Sequence, residues 1–345
     1  MRPAPRLLPK PVWLLGWVSL ATDAATEAIY PLLPFFLTNV LRAGPVSLGV
    51  IEGAAEAANS ILKILSGRLA DRSRAKRPIV VAGYALSSAV RPLIALAQSW
   101  THVLTIRLVD RVGKGVRGAP RDAMLASWAT DSTRGRIYGF HRAMDHAGAV
   151  VGPLAATAFL FFYPGEYRTL FALTIVPGAI AVALLFLVKE DDERVVSGSS
   201  RTSTDDAGSG FSRTPDPPNR DPLPRAFKQF MLVLMLFTLG NSTDAFLLLK
   251  LTDAAGGVQY VPLMWSALHV VKATVSVLGG AWSDRIGRRA VIAIGWLIYA
   301  AVYAGFAVST SLASLLPLFL VLSSLAALLP GLGALLSQLK PGSAM

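Results

Sequence analysis

Two related stretches, Gly67-Arg-Leu-Ala-Asp-Arg-Ser-Arg-Ala-Lys-Arg77 and Gly280-Ala-Trp-Ser-Asp-Arg-Ile-Gly-Arg-Arg289, carry the strongest information on the fold class of this chain. Each follows a long apolar run and carries an Asp-Arg pair four residues after its glycine. Each then ends in a basic cluster before another apolar run. A long repeat of this kind between hydrophobic segments indicates an all-α membrane protein built from two related halves.

The composition also indicates a polytopic membrane protein. Of the 345 residues, 53% are hydrophobic and only 16% are charged, whereas soluble globular proteins carry about 25% charged residues. There is no cysteine, which excludes disulfides and thiolate metal sites. The basic N-terminus (Arg2, Arg6, Lys10) runs into a long apolar segment without a small-residue cleavage site, which predicts a first spanning helix rather than a signal peptide.

Apolar runs long enough to cross a bilayer, which takes about 20 residues, recur along the whole chain. The sequence predicts ten spans, at residues 12–38, 46–66, 79–99, 102–125, 137–161, 169–188, 227–249, 259–281, 290–308 and 312–335.

The distribution of basic residues predicts the orientation in the membrane. With the N-terminus inside, the inner segments hold 21 Lys and Arg, against three in the outer segments (Arg42, Arg168 and Lys250). Because such a bias sets orientation, we expect a multi-pass protein of the inner (plasma) membrane with both termini in the cytoplasm. The net charge of +12 is therefore a topology signal, and a nucleic-acid partner is not expected.

Residues 190–225 interrupt the apolar pattern with Asp191-Asp-Glu193, a Ser/Gly run and Pro215-Asp-Pro-Pro218. No apolar face can be buried there, which predicts a disordered cytoplasmic linker. The predicted organisation is an N-terminal six-helix half (1–189), this linker, and an incomplete C-terminal half of four helices (226–345). Thr22-Asp-Ala24 in span one recurs as Thr243-Asp-Ala245 in span seven.

Charged residues inside the predicted spans are nearly balanced, with nine basic and eight acidic side chains. Each would cost about 2.5–3.5 kcal/mol at the centre of a bilayer, so we expect most of them to be paired and to face an internal cavity. The basic ones are Lys63, Arg91, Arg107, Arg111, Lys114, Arg117, Arg121, Arg142 and Lys272. The acidic ones are Asp23, Glu27, Glu52, Glu56, Asp110, Asp122, Asp145 and Asp244.

Span four concentrates these charges on one side. At 100° per residue its charged residues fall within an arc of roughly 140°, opposite Val109, Val112, Val116 and Ala123. The pattern predicts a helix that is apolar toward lipid and basic toward the bundle.

Two pairs of carboxylates have helical spacing. Asp23 and Glu27 share a face of span one, and Glu52 and Glu56 share a face of span two. Burial favours the protonated form of a carboxylate, so these residues are candidates for proton or cation coupling. Ion pairing to span four is the structural alternative. Asn241 and Asp244 form a polar cluster that predicts cavity lining in span seven.

The two repeated stretches resemble the G-x-L-x-D-R-x-G-R-R loops of the major facilitator superfamily, between helices two and three and between helices eight and nine. The second has Trp282 at the Leu position, and the first has Arg74 where a Gly is usual. The resemblance implies two pseudo-symmetric helical halves and a cytoplasmic gate. The gate residues it implies are Gly67, Asp71, Arg72, Gly280, Asp284 and Arg285.

Two further stretches resemble the same superfamily. Arg111-Val-Gly-Lys-Gly115 is similar to its R-x-x-Q-G signature in helix four, with Lys114 at the Gln position, which implies proton coupling through Arg111. Span five is similar to the antiporter signature G-x8-G-x3-G-P-x2-G, with Ala156 at the last glycine. Ordinary packing of small residues is the alternative there. The matching residues are Gly139, Gly148, Gly152 and Pro153.

The resemblance weakens near the end of the chain. The superfamily has twelve spans, and the sequence after Leu320 becomes a Ser/Leu/Ala/Gly run that ends at Met345. We therefore expect a C-terminus that is truncated or altered relative to the family, without helices eleven and twelve.

The sequence predicts a proton-coupled antiporter that exports a small molecule by alternating access. The alternatives are an importer of anionic solutes, suggested by the basic excess of span four, and a non-transporting membrane fragment. The expected partners are the small molecule, protons and the lipid bilayer, and the protein is expected to be a monomer. No enzymatic activity, cofactor or metal site is expected.

Overall fold

The computed structural model describes residues 8–73, 75–130, 133–188, 244–286 and 288–326, with residues 225, 228, 229, 231–233 and 235. Every regular element in these ranges is a helix. The main helices are α1 (Lys10–Ile29), α2 (Pro45–Arg72), α3 (Arg77–Val90), α4 (Trp100–Ser127), α5 (Arg134–Phe162), α6 (Tyr167–Leu173), α7 (Ile175–Leu187), α8 (Asp244–Ala254), α9 (Val261–Ile286), α10 (Arg288–Val308) and α11 (Leu312–Ala326).

Besides span six, which a turn at Thr174 divides into α6 and α7, two predicted spans do not form continuous α-helices. Span one was expected at 12–38, but α1 ends at Ile29 and is followed by a 3-10 turn (Tyr30–Leu32), a short helix (Leu33–Phe35) and a π-turn (Phe36–Val40). Span three changes from α to 3-10 geometry at Arg91–Leu96. Proline explains both changes, because Pro31, Pro34 and Pro92 lack the backbone N–H that an α-helix needs.

The N-terminal bundle (residues 8–188) is held by pairs of long helices. Helix α1 packs along α5 and α7, and α4 packs between α2 and α3. Close approach of α3 and α4 depends on two glycines. A Cβ atom at Gly83 would lie 2.8 Å from the carbonyl oxygen of Gly113, and one at Gly113 would lie 2.6 Å from that of Gly83.

Two apolar clusters lie at opposite ends of this bundle. One contains Val103 near the start of α4, and the other contains Met124 near its end. Between these positions α4 buries Arg107, Asp110, Arg111 and Arg117, while Val112 on its other side is exposed. Four of the seven charged residues of predicted span four are thus buried, whereas Lys114 and Asp122 are exposed.

The C-terminal bundle (residues 244–326) packs around a third apolar cluster formed by α8, α9, α10 and α11. It meets the N-terminal bundle along α5 and α9 and near the turn at residues 30–35. At that turn Tyr30 packs on the C-terminal cluster, while Ala245 and Val258 belong to an N-terminal cluster. We call this region, defined by Tyr30, Ala245 and Val258, the contact end.

Among the described residues, three helical segments are both long and apolar enough to cross a membrane: Arg77–Leu96, Arg134–Phe162 and Tyr167–Leu187. The charged faces of α1, α2, α4 and α9 lower the mean hydropathy of the remaining long helices. The count of ten spans stays a prediction, as do the domain boundaries. Residues 189–224, which include most of the predicted linker, and residues 327–345 lie outside the described part of the chain.

Candidate functional site

A cavity of about 690 Å³ lies between the two bundles. Helices α1, α2 and α4 line it on the N-terminal side, and α8 and α9 line it on the C-terminal side. Its charged lining contains three cations and four carboxylates. The lining residues are Thr26, Glu27, Tyr30, Gly49, Glu52, Gly53, Glu56, Arg111, Lys114, Asp244, Phe246, Trp265, His269 and Lys272.

Buried charge pairs support the cavity wall. Arg107 donates to Glu52 at 2.6 Å, and Arg91 donates to Asp110 at 3.1 Å, with both members of the second pair almost fully buried. Arg91 also donates to the carbonyl oxygen of Thr22 at 3.4 Å, so this guanidinium connects α1 and α4 to the 3-10 segment after α3. Because a buried pair is costly to break, these contacts fix α4 and its cavity-facing side chains.

Arg117 lies away from the cavity, inside the N-terminal bundle. Its guanidinium is buried and stands 3.9 Å from the centroid of the Tyr84 ring, which is a favourable cation–π geometry. The basic face of α4 is thus divided by function: Arg107 and Arg117 contact other side chains of the bundle, whereas Arg111 and Lys114 line the cavity.

Glu27 is the cavity carboxylate that connects the two bundles. Its Oε2 atom accepts a hydrogen bond of 2.8 Å from Nε1 of Trp265 in α9, and Nε2 of His269 lies 3.9 Å from the same oxygen. Lys114 and Lys272 are close enough to Glu27 to interact with it electrostatically. Glu27 therefore interacts with side chains of both bundles.

Asp23, one helical turn before Glu27, lies behind the cavity wall rather than in its lining. It is partly buried against α5, where a Cβ atom at Gly148 would come within 3.0 Å of the Asp23 Cβ. Within the described residues it has no ion-pair partner within 4.0 Å, and Lys114 is the charged side chain that interacts with it most strongly. Lys114 interacts with Asp23 and Glu27 alike.

The glycines of α5 have different surroundings. A Cβ atom at Gly152 would overlap the backbone of Ala24 in α1, and one at Gly148 would overlap the carbonyl oxygen of Leu20. A Cβ atom at Gly139 would meet nothing within 4 Å. Pro153 is buried inside α5. Two of the three glycines in the span-five pattern thus let α5 approach the helix that carries Asp23 and Glu27.

The structure describes the predicted gate only in part, and one predicted cavity residue not at all. Gly67 and Gly280 lie within α2 and α9. The side chains of Asp71, Arg72, Asp284 and Arg285, and the whole of Asn241, lie outside the described residues. Of the other predicted cavity residues, Glu27, Glu52, Glu56, Arg111, Lys114 and Asp244 line the cavity, whereas Asp23 and Arg107 support it.

Sequence reasoning missed the aromatic side chains of the cavity, Tyr30, Phe246 and Trp265. Helical spacing held a partial signal, because Trp265 and His269 are four residues apart and share a face of α9. Their ring centroids are 5.2 Å apart in a T-shaped arrangement. Nothing in the sequence indicated that this face meets Glu27 of the other bundle.

A charged and aromatic cavity between two packed helical bundles is typical of membrane transporters built from two halves. The sequence profile described as Major Facilitator Superfamily matches residues 15–267. An uncharacterized MFS-type transporter, MJ1317 of Methanocaldococcus jannaschii, is 32% identical over 320 residues, which cover 91% of this chain and 76% of the relative. The chain belongs to the Major Facilitator Superfamily.

Two further similarities are consistent with this assignment. The solved structure of the nucleoside transporter NupG superimposes with a TM-score of 0.70 at 14% identity, covering 93% of this chain and 80% of that one, which supports the fold alone. The multidrug resistance protein MdtH of Aeromonas hydrophila is 28% identical over 150 residues, which cover 44% of this chain and 38% of MdtH.

Proposed function

We propose that this superfamily transporter exports small organic molecules in exchange for protons. The observation that carries the proposal is the position of Glu27, a carboxylate that lines the cavity and contacts both bundles. A carboxylate removed from bulk water binds a proton more readily, and alternating access requires the bundles to move against each other around such a central site. Asp23, one turn away and close to Lys114, is proposed as the second proton-binding group.

The partial similarity to MdtH supports export of organic compounds rather than uptake of anions. Only some of the basic residues of α4, whose excess favoured anion uptake, line the cavity. Arg107 is paired with Glu52, and Arg117 is buried against Tyr84. With Glu52 paired to Arg107, the lining holds three further carboxylates against three cations, so its charges are balanced rather than basic. The lining also contains three aromatic residues, and the faces of aromatic rings attract cations. Lipophilic organic cations are therefore the first compounds to test.

The experiment is flux into proteoliposomes with an imposed pH gradient, with ethidium and tetraphenylphosphonium as the first probes. An acidic interior should drive accumulation of the probe as protons leave the vesicle. Glu27→Gln should abolish this accumulation, because glutamine has the same shape but cannot bind the proton. Glu166→Gln is the matched control, since Glu166 is exposed at the start of α6 and outside the cavity lining. Accumulation by Glu27→Gln at the wild-type level would contradict the proposal.

A further inference from the structure

Trp265 joins the two bundles at the proton-binding side chain itself. It is 4% exposed, and its indole Nε1 donates the 2.8 Å hydrogen bond to Glu27 Oε2. The bond lies near the contact end, where Tyr30 packs on the C-terminal cluster. Any motion that separates the bundles at this end must break or stretch this bond.

The indole is held in position from three sides. Its ring centroid lies 5.1 Å from that of Tyr30, 5.2 Å from that of His269 and 6.2 Å from that of Phe319. These rings belong to the turn after α1, to α9 and to α11. The direction of the N–H group is therefore set by packing, which makes the hydrogen bond sensitive to the state of its acceptor.

We propose that the hydrogen bond from Trp265 to Glu27 is the latch through which protonation of Glu27 loosens the contact between the two bundles. This inference rests on the proposed proton coupling. Tryptophan can only donate, so it uses the carboxylate strictly as an acceptor. A bond to an ionised carboxylate is roughly twice as strong as one to a neutral group. A proton on Glu27 therefore favours the conformation in which the bundles are separated at the contact end.

The charged and titratable groups around Glu27 come from each neighbouring helix. They are Asp23 on the same helix, Glu52 and Glu56 on α2, Arg111 and Lys114 on α4, Asp244 on α8, and His269 and Lys272 on α9. On α5, Asp145 interacts electrostatically with Asp23, and His146 does so with His269. His269 Nε2 lies 3.9 Å from the Glu27 oxygen, which is too far for a hydrogen bond. Among the described residues, Trp265 is thus the side chain that donates to Glu27 across the interface.

The test is the distance between spin labels in the two bundles as a function of pH, in lipid nanodiscs without substrate. The chain has no cysteine, so cysteines introduced at the exposed residues Val46 and Asp253 can be labelled specifically. For the wild type, we expect the ratio of separated to closed populations to rise about tenfold between about pH 9 and about pH 5. For Trp265→Phe we expect a change of less than about twofold, with separated populations at both pH values.

Matched variants distinguish a latch from general damage to packing. Trp128→Phe removes the same atoms from a buried indole whose Nε1 has no hydrogen-bond partner among the described residues, and it should keep the wild-type pH response. Glu27→Gln should give separated populations at both pH values, and adding Trp265→Phe should change nothing further.

A wild-type pH response in Trp265→Phe would overturn the latch even if proteoliposomes still show proton-driven flux. So would a wild-type protein whose label distances do not change with pH. Failure of the proposed function would appear in a different measurement: flux into proteoliposomes by the wild-type protein would not depend on protons.

Discussion

Substitution of Gly152 by alanine should destabilise the protein, whereas the same change at Gly139 should not. The new Cβ atom at position 152 would lie 2.8 Å from both the carbonyl carbon and the Cα atom of Ala24. These are backbone atoms, so no side-chain rotation can relieve the overlap, and α1 and α5 must move apart by several tenths of an ångström. Overpacking of this kind costs about 1–3 kcal/mol.

The comparison with Gly139→Ala isolates this steric cost. Both changes gain the same helix-stabilising contribution of about 0.5–1 kcal/mol, but position 139 has nothing within 4 Å of a new Cβ atom. Thermal unfolding in detergent should therefore give Gly152→Ala an apparent Tm several degrees below that of Gly139→Ala. Equal Tm values for the two variants would refute the conclusion that Gly152 allows α5 to approach α1 closely.

Three other predictions follow from the charges. Arg91→Met should lower the free energy of unfolding by about 3–5 kcal/mol, because it leaves Asp110 buried and unpaired. The double variant Arg91→Met/Asp110→Leu should recover most of this stability in thermal unfolding, and equal Tm values for the single and double variants would contradict the prediction. Asp23→Asn should abolish proton-driven flux in proteoliposomes without lowering the Tm, and retained concentration of the probe against a gradient would contradict it. Reporter tags at both termini and within 190–224 should all be cytoplasmic, and an external terminus would overturn the orientation.

Periodicity along a single helix was the most informative property of the sequence. The spacing of Arg107 and Arg111 placed them correctly on the buried side of α4, because an α-helix fixes the angle between successive residues, although Lys114 on the same side is exposed. The repeated loops and the span-five pattern were sufficient to identify the superfamily. Both kinds of signal are local or depend on matching a short pattern.

Features that depend on packing between distant segments could not be predicted. The contact of Trp265 with Glu27 joins two bundles across most of the described chain, and no spacing rule relates the two positions. The division of α4 between supporting and cavity-lining cations also required the neighbours of each side chain. The breaks after α1 and α3 could have been predicted from the sequence, because Pro31, Pro34 and Pro92 indicate an interrupted α-helix. The predicted spans were nevertheless drawn as continuous helices.

Proton release on substrate binding tests the central claim most directly. The purified transporter, in weakly buffered detergent solution above neutral pH, is mixed with the compound that the proteoliposome assay identifies, and the pH of the solution is followed. If substrate and protons exchange at the cavity carboxylates, binding should release protons from the wild type and none from the Asp23→Asn/Glu27→Gln double variant. Binding accompanied by proton uptake, or by no change in pH for the wild type, would contradict antiport through this site.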